Sequence, residues 1–248
     1  MKYTMITGAS SGIGHATAIA FAKRGKNLIL VARGKERLEE LKVKLLTLAP
    51  TIEVIINATD LTITQKVYDL YSGVKHLQIE TLINNAWFGN YDSVGNQNLN
   101  KIEEMMKLNI EALTILSSLY VGDYENVPGS QLINVSSTGG YNIVSNAVTY
   151  CASKFYVSAF TEGLSWELKN KGAKLQAKVL APSVTQTGFA TKANNVDTYD
   201  YGSNFARYHT SEEMADFLLE LYDGDKIVGY VDRDAYEFKM IDPIFKHV

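Results

Sequence analysis

The sequence predicts an α/β protein in which helices cover both faces of a mostly parallel central sheet of about seven strands. Two observations support this three-layer, doubly wound fold. Short apolar segments alternate with longer segments of helical periodicity, which is the pattern of consecutive βαβ units. A glycine-rich segment at residues 8–14 separates the first predicted strand from the first predicted helix. With 248 residues, the chain has the length of one α/β domain, which we place at 1–248.

The predicted strands are short and rich in apolar and β-branched residues, as buried strands of a parallel sheet are. They are residues 2–7, 27–32, 52–57, 80–83, 130–135, 174–180 and 226–231. Because the carboxyl ends of parallel strands meet at one edge of the sheet, we expect a ligand to bind there.

The predicted helices lie between these strands. They are residues 15–24, 35–48, 64–75, 101–120, 149–170 and 211–221. The second is typical, since leucines spaced three and four residues apart give it one apolar stripe. Residues 188–210 have no clear periodicity and are rich in Asn, Tyr, Asp and Gly. A segment of this length without regular structure predicts a substrate loop or lid.

The composition excludes several classes of protein. The formal net charge is −3, from 24 basic and 27 acidic residues, and no run of like charge indicates nucleic-acid binding. Cys151 is the single cysteine, so we expect neither a disulfide framework nor a multi-cysteine metal site. No apolar run reaches the roughly 18 residues of a membrane span, and the first residues lack the pattern of a secretory signal. We therefore expect a cytoplasmic protein with no nucleic-acid, membrane or metal partner.

The glycine segment has the position and composition of a dinucleotide-binding turn, with the spacing G-x-x-x-G-x-G. Glycines permit a tight turn and a close approach of a pyrophosphate to the backbone, and the helix that follows offers unpaired N–H groups. The predicted binding residues of this turn are Gly8, Ser10, Ser11, Gly12, Ile13 and Gly14. A plain strand–helix turn is the alternative interpretation.

Arg33 follows the second strand, where an NAD(H) site favours an acidic residue that binds the ribose 2′-hydroxyl. A planar guanidinium suits a phosphate instead. Arg33 therefore predicts NADP(H) as the cofactor, with Ser11 as a second donor to the phosphate. The alternative is that Arg33 is a solvated surface residue and that the site accepts NAD(H).

Tyr150 and Lys154 are four residues apart in the predicted helix 149–170, which places them on one helical face. An ammonium group near a phenol lowers the pKa of the tyrosine, which suits general acid–base catalysis. Ser137 ends the fifth strand, and its hydroxyl can donate to a carbonyl oxygen that gains charge. The three residues predict proton transfer at a carbonyl or alcohol.

Together these motifs resemble the short-chain dehydrogenase/reductase family over nearly the whole chain. The resemblance implies a Rossmann fold, NAD(P)-dependent oxidoreductase activity, and a homodimer or homotetramer. It implies the catalytic residues Asn109, Ser137, Tyr150 and Lys154. It extends the cofactor-binding residues to Asp60, Leu61, Asn84, Ala86, Tyr150, Lys154, Pro182, Ser183, Thr185 and Thr187.

The resemblance also implies a role for each catalytic residue. Tyr150 donates a proton to the carbonyl oxygen while NADPH delivers hydride to the carbon, and it acts as a base in the reverse direction. Lys154 holds the nicotinamide ribose and lowers the pKa of Tyr150. Ser137 orients and polarises the carbonyl, and Asn109 holds a water molecule that connects Lys154 to solvent.

Two residues depart from the family pattern. Trp87 replaces the glycine of N-N-A-G, and Ser183 replaces the glycine of P-G-x-x-x-T. A glycine at either position would allow close approach of the backbone or a positive φ. Neither change removes a catalytic group, so we expect an active enzyme, and cofactor placement and substrate size stay open at these two positions.

The candidate substrate residues are aromatic and suit an apolar or aromatic ketone. They are Trp87, Tyr141, Phe189, Tyr199, Tyr201 and Tyr208, and for each of them a packing role in the loop is the alternative. Two other functions remain open, namely an NAD(H)-preferring alcohol dehydrogenase and a non-catalytic NADP(H)-binding sensor. A 3-oxoacyl-carrier-protein reductase would need a basic docking patch, which the sequence does not show.

Overall fold

A computed structural model describes residues 1–247 of the chain. The strands form a single sheet in the order β3-β2-β1-β4-β5-β6-β7-β8, and all neighbours are parallel except β7 and β8. The strands are β1 (Lys2–Thr7), β2 (Asn27–Ala32), β3 (Val54–Ala58), β4 (Gln78–Asn84), β5 (Gln131–Val135), β6 (Gln176–Ala181), β7 (Val228–Val231) and β8 (Phe238–Ile241). The predicted α/β class is confirmed.

Nine α-helices lie among the described residues: α1 (Gly12–Lys23), α2 (Lys35–Leu48), α3 (Thr64–Val74), α4 (Leu99–Met106), α5 (Leu113–Tyr124), α6 (Val148–Lys171), α7 (Phe189–Asn194), α8 (Tyr201–Asn204) and α9 (Ser211–Asp223). A π-helical segment, Lys107–Ala112, joins α4 to α5, and short 3-10 helices cover Val94–Asn96 and Thr138–Gly140. None of the helices described is long and apolar enough to cross a membrane.

The sheet separates two apolar cores. Successive residues of β2 point to opposite faces, so Leu28 and Leu30 pack with α1, α2 and α9, whereas Ile29 and Val31 pack with α3, α5 and α6. All four side chains are fully buried. Because both faces of the strand are covered, its sequence is continuously apolar and does not alternate.

Three predicted features differ from the structure. The helix predicted at 101–120 is helical from Leu99 to Tyr124, but the π-helical segment interrupts it. The predicted irregular loop at 188–210 contains the two short helices α7 and α8. The eighth strand was not predicted, because β8 has four residues that are exposed or half-buried at the edge of the sheet. Such a segment lacks the buried apolar pattern that identified the other strands.

The site lies where the order of the strands reverses. β1 pairs with β2 on one side and with β4 on the other, so the chain crosses over from one half of the sheet to the other between them. Ligands in doubly wound sheets bind outside the carboxyl ends of the strands at such a point. A cavity of about 1370 Å³ opens there.

Candidate active site

The cavity runs from the glycine turn to the start of α6 and contains most of the predicted site. The predicted residues that line it are Gly8, Ser10, Ser11, Gly12, Ile13, Arg33, Asp60, Leu61, Ala86, Trp87, Ser137, Tyr150, Pro182, Ser183, Thr185, Thr187, Phe189, Tyr199 and Tyr201. Gly14, Asn84, Asn109, Lys154, Tyr141 and Tyr208 do not belong to its wall. One cavity therefore holds the glycine turn at one end and the Ser–Tyr pair at the other.

The glycine turn fits tightly against the segment after β4. Gly8 and Gly12 have positive φ values of 68° and 55°, which glycine adopts at no steric cost. A Cβ atom on Gly14 would lie 2.4 Å from Asn85 Nδ2 and 2.5 Å from Gly8 O. Each of the three positions therefore requires glycine, two for backbone conformation and one for space.

Asn85 holds this turn in place, although the sequence motifs did not single it out. Its Nδ2 donates to Thr7 O at 3.1 Å, and the Thr7 hydroxyl accepts from the N–H groups of Asn85 and Ala86 at 3.0 Å each. The predicted neighbour Asn84 points into the sheet instead, where its amide donates to Ser117 and Asn134. Successive side chains of a strand point in opposite directions. This alternation predicts that only one of two adjacent asparagines can face the cavity, and in the structure it is Asn85.

Two arginines lie at the end of the cavity beside the glycine turn. Arg33 is the predicted one, and Arg37 on α2 also lines the cavity. Arg37 was missed because the prediction considered only the end of β2, although a spacing of four residues puts it near Arg33. Partial burial raises the pKa of the Asp60 carboxyl, but hydrogen bonds from Thr62 and the charge of Arg33 outweigh it and lower that pKa.

Ser137 and Tyr150 form the opposite end. Ser137 is the N-cap of the 3-10 helix Thr138–Gly140, and its hydroxyl accepts from Gly139 N at 3.0 Å. Tyr150 lies in the first turn of α6 and is 3% exposed. Burial raises the pKa of Tyr150 well above its ordinary value, and the Ser137 hydroxyl opposes this effect. The expected lowering of this pKa by Lys154 is not observed.

Lys154 explains that difference. Its side chain is 1% exposed, and Nζ donates to Val135 O at 3.0 Å. The Trp87 ring lies over the ammonium, with Nζ 4.2 Å from the ring centroid. Trp87 lines the cavity whereas Lys154 does not, so the indole stands between the ammonium and the cavity. Lys154 has no carboxylate within 4.0 Å among residues 1–247, and burial lowers its pKa.

Asn109 fixes the backbone beside Trp87. It is buried in the π-helical segment, a feature that is frequent at functional sites. Its Nδ2 donates to Phe88 O at 3.0 Å and to Ser153 Oγ at 3.1 Å, and its Oδ1 accepts from Phe88 N at 3.2 Å. The side chain thus joins the segment that carries Trp87 to the turn of α6 that carries Lys154.

The segment after β6 closes the cavity between its two ends. Pro182 O accepts from Thr138 N at 2.8 Å, which ties this segment to the 3-10 helix after Ser137. Thr187 Oγ1 accepts from Phe189 N at 3.1 Å. The Ser183 hydroxyl is buried and has no hydrogen-bond partner among the described residues. It is therefore available to a ligand in the cavity.

Comparison with known proteins identifies the family. A family model described as short chain dehydrogenase matches residues 2–197. The chain belongs to the short-chain dehydrogenase family. This dehydrogenase is 30% identical over 202 residues to human dehydrogenase/reductase SDR family member 11. The alignment covers 79% of this chain and 78% of the human protein. The resemblance stated from the sequence motifs is confirmed.

Solved structures agree with this assignment. A short-chain dehydrogenase from Sphingobium yanoikuyae in complex with NADPH superposes with a TM-score of 0.83 at 28% identity, over 92% of this chain and 87% of the other. A bulky-bulky ketone specific alcohol dehydrogenase from Comamonas testosteroni has a TM-score of 0.79 at 27% identity, over 92% and 85% of the two chains. The dehydrogenase is an NAD(P)-dependent oxidoreductase of alcohol and ketone groups.

Aromatic side chains enclose Tyr150 of the dehydrogenase. The Trp87 ring centroid lies 5.9 Å from that of Tyr150 and 4.6 Å from that of Phe189. Tyr91, which the sequence motifs did not indicate, lies 5.6 Å from Tyr150. The segment from Trp87 to Tyr91 has no regular structure, so no spacing in the sequence indicates this contact. Aromatic rings therefore line the end of the cavity that holds Tyr150.

Two of the candidate substrate residues lie elsewhere. The Tyr141 hydroxyl donates to Glu162 at 2.6 Å, and its ring stacks on Phe245, because the 3-10 helix turns this residue away from the cavity. Tyr208 is exposed and packs on the outer side of Tyr201. The expectation that these two tyrosines line the substrate pocket does not agree with the structure of the dehydrogenase.

Proposed function

We propose that this dehydrogenase reduces a ketone or aldehyde with NADPH, or catalyses the reverse oxidation, with Tyr150 as the general acid or base. The observation that carries the proposal is the single cavity, which joins a glycine turn with two arginines to a buried Ser–Tyr pair. The first end suits the phosphates of a dinucleotide, and the second suits proton transfer to a carbonyl oxygen.

The residues of the cavity fit a dinucleotide. Gly8 and Gly12 line the cavity without side chains, so a pyrophosphate can approach their backbone closely. Ser183 Oγ and Asn85 Oδ1 are buried and have no hydrogen-bond partners among residues 1–247. Buried polar atoms are normally satisfied, so these two atoms suit the polar groups of a bound cofactor. The Sphingobium relative binds NADPH at such a fold.

Arg33 and Arg37 support NADPH over NADH. Neither guanidinium forms an ion pair with a carboxylate within 4.0 Å in the part of the chain that the structure describes. Two guanidinium groups beside the glycine turn suit a doubly charged 2′-phosphate, whose oxygens accept charge-assisted hydrogen bonds. An enzyme that prefers NAD(H) is the alternative, and Arg33 is the residue that tests it.

The catalytic residues act on the proton. When bound, NADPH supplies the hydride that reduces the carbonyl carbon. Tyr150 gives its phenolic proton to the carbonyl oxygen, and its raised pKa in the buried site keeps that proton available. Ser137 donates a hydrogen bond to the same oxygen. Lys154 can bind the ribose and assist Tyr150 once the indole of Trp87 leaves the ammonium, and Asn109 then connects Lys154 to solvent through water.

The Comamonas relative acts on bulky ketones, and the aromatic cluster around Tyr150 supports an apolar or aromatic ketone for this chain as well.

We also propose a cytoplasmic homodimer or homotetramer. Its contact surface would be the face of α4, α5 and α6, where Leu99, Met106, Val148 and Tyr156 are exposed. Light scattering that gives a 27.5 kDa monomer at micromolar concentration would exclude the oligomer.

Tyr150→Phe tests the proposed reaction. We expect kcat to fall by about 10²–10⁴, the range that general acid–base catalysis contributes, while the Kd for NADPH stays within about twofold because the cofactor loses no phosphate contact. The measurement is NADPH oxidation at 340 nm with a panel of aliphatic, aromatic and dicarbonyl compounds. The matched control is Tyr208→Phe, which removes a hydroxyl outside the cavity.

The result also separates two functions. Turnover that depends on Tyr150 supports the reductase. Tight NADPH binding without turnover of any carbonyl would support a cofactor-binding sensor instead, a function that the Trp87 indole over Lys154 favours. If neither cofactor binds, the proposed function is wrong.

A further inference from the structure

A rigid turn between β7 and β8 carries Arg233 to the wall of the cavity. Asp232 accepts hydrogen bonds from Asp234 N and Ala235 N at 3.0 Å each, and from Lys239 Nζ at 2.9 Å. Tyr236 holds a left-handed conformation with φ of 58°, which is unusual for a residue of this size. The turn thus has one well-defined conformation, and Arg233 projects from it.

Arg233 differs from the neighbouring lysines in having no carboxylate partner. Lys226 pairs with Asp242 at 3.0 Å and Lys239 with Asp232 at 2.9 Å. For Arg233, no ion pair within 4.0 Å exists among residues 1–247. Its side chain lines the same cavity as Ser137 and Tyr150. The guanidinium is thus a positive charge that the protein leaves without a partner at a ligand site.

Arg233 follows β7, which pairs with β6 on the side of the sheet away from β1 and β2, so it lies on the Ser137 and Tyr150 side of the cavity rather than beside the glycine turn. Burial raises the pKa of Tyr91 and of Cys151, and the positive charge of Arg233 acts on both groups in the opposite direction. Tyr91 packs directly against Tyr150, and Cys151 follows Tyr150 in α6. Arg33 and Arg37 already serve the glycine turn, so Arg233 is a third arginine with a separate location.

Two phenol groups share the cavity wall with this arginine. They belong to Tyr91 and Tyr199. In the described part of the chain, neither hydroxyl donates or accepts a hydrogen bond within the protein, whereas the nearby Tyr201 hydroxyl donates to Thr187 O at 3.0 Å. A guanidinium and two free phenol donors are the groups that recognise a carboxylate.

We propose that Arg233, Tyr91 and Tyr199 form a carboxylate-binding subsite, and that the substrate is an apolar or aromatic carbonyl compound that carries a carboxylate. This inference rests on the proposed function, because it places the carbonyl at Tyr150. The aromatic cluster of Trp87 and Phe189 contacts the apolar part of such a substrate. The subsite orients the substrate through its remote end, so it acts on binding rather than on the chemical step.

The kinetic test compares keto acids with their own methyl esters. Matched pairs such as 4-acetylbenzoate and methyl 4-acetylbenzoate are supplied with NADPH to the wild type, Arg233→Met and Arg233→Lys. We expect the wild type to prefer the acid by at least tenfold in kcat/KM. Arg233→Met should remove that preference by raising KM for the acid tenfold or more, with the ester unchanged, and Arg233→Lys should restore part of it. Arg207→Met, which removes an arginine outside the cavity wall, is the control.

A binding measurement keeps the test independent of turnover. Titration calorimetry of the protein with NADP⁺ compares benzoate, benzamide and inorganic phosphate. If benzoate binds the wild type and Arg233→Met abolishes that binding, the subsite is supported. Stronger binding of phosphate than of benzoate would assign it to phosphorylated substrates instead.

Equal turnover of acid and ester by the wild type, or unchanged acid kinetics in Arg233→Met, would overturn the inference and leave the reductase intact. Reduction of neither compound class would count against the reductase, and calorimetry would then decide the subsite alone.

Discussion

The phosphate end and the catalytic end of the cavity are enclosed by different parts of the polypeptide. At the phosphate end the glycine backbone forms the turn, with Gly8 and Gly14 packed against Asn85 and Gly12 packed against Thr187, and it leaves no room for side chains. At the catalytic end the wall is made of side chains, and Trp87, Tyr91 and Phe189 cover Tyr150. We infer that the first end is preformed for its ligand, whereas at the second end the Trp87 indole has to leave the Lys154 ammonium before a ligand can reach it.

This difference has a consequence for binding energy. A preformed site loses little conformational entropy when its ligand arrives, so its contacts contribute almost fully to affinity. A closed site uses part of the binding energy to move the groups that fill it, here an indole in contact with a buried ammonium. A substitution that disturbs the phosphate end should therefore weaken cofactor binding. A substitution that removes the indole from the catalytic end should strengthen it.

Gly14→Ala should have the largest effect on binding. The new methyl group would lie 2.4 Å from Asn85 Nδ2 and 2.5 Å from Gly8 O, so the turn must shift away from the cofactor position. We expect NADPH affinity to fall by about tenfold to a hundredfold and the free energy of unfolding to fall by about 1–3 kcal/mol, the usual cost of overpacking. Fluorescence titration and denaturant unfolding measure the two effects.

Gly73→Ala is the matched control. Gly73 lies in α3, and a methyl group added there would have nothing within 4 Å. Alanine stabilises a helix by about 0.5–1 kcal/mol relative to glycine. This variant should bind NADPH normally and unfold at slightly higher denaturant concentration. A Gly14→Ala protein that binds as well as Gly73→Ala would show that the phosphate end is not preformed.

Most of the phosphate end could be predicted from the sequence because its determinants are local. The turn Gly8–Gly14 and the position of Arg33 follow from residue type and spacing along one strand–turn–helix unit. The catalytic end was predicted in its residues but not in its arrangement. Spacing places Tyr150 and Lys154 on one helical face, but it does not show that Trp87, from another element, lies between Lys154 and the cavity.

The same distinction explains the residues that were missed. Arg233 belongs to a turn before a four-residue edge strand, and its place in the cavity depends on how β7 and β8 extend the sheet. Tyr141 was expected in the pocket from its closeness to Ser137 in the sequence, but the 3-10 helix directs it to Glu162. Contacts between distant segments decide these positions, and no local pattern encodes them.

Arg33→Ala should have an effect of similar size on one cofactor only, and it should leave the fold unchanged. A charge-assisted hydrogen bond contributes about 1.5–3 kcal/mol, so we expect the preference for NADPH over NADH in kcat/KM to fall by about tenfold to a hundredfold, with NADH kinetics unchanged. Arg24→Ala is the control, because that arginine pairs with Asp223 away from the cavity wall. An unchanged preference would show that Arg33 does not bind the phosphate and would favour the solvated alternative.

Trp87→Gly should have the smallest effect and the opposite sign. The variant removes the indole from the Lys154 ammonium, 4.2 Å from the ring centroid, and restores the residue typical of the family. A desolvated cation–π contact is worth about 2 kcal/mol, and 1.4 kcal/mol corresponds to tenfold in affinity. We therefore expect NADPH to bind up to about thirtyfold more tightly. The protein has two tryptophans, so in Trp166→Phe the remaining emission reports Trp87 and should change when NADPH binds. Two results would contradict this prediction: weaker NADPH binding by Trp87→Gly, or Trp87 emission in Trp166→Phe that does not change when NADPH binds. Either would mean that the indole belongs to the bound site and that both ends of the cavity are preformed.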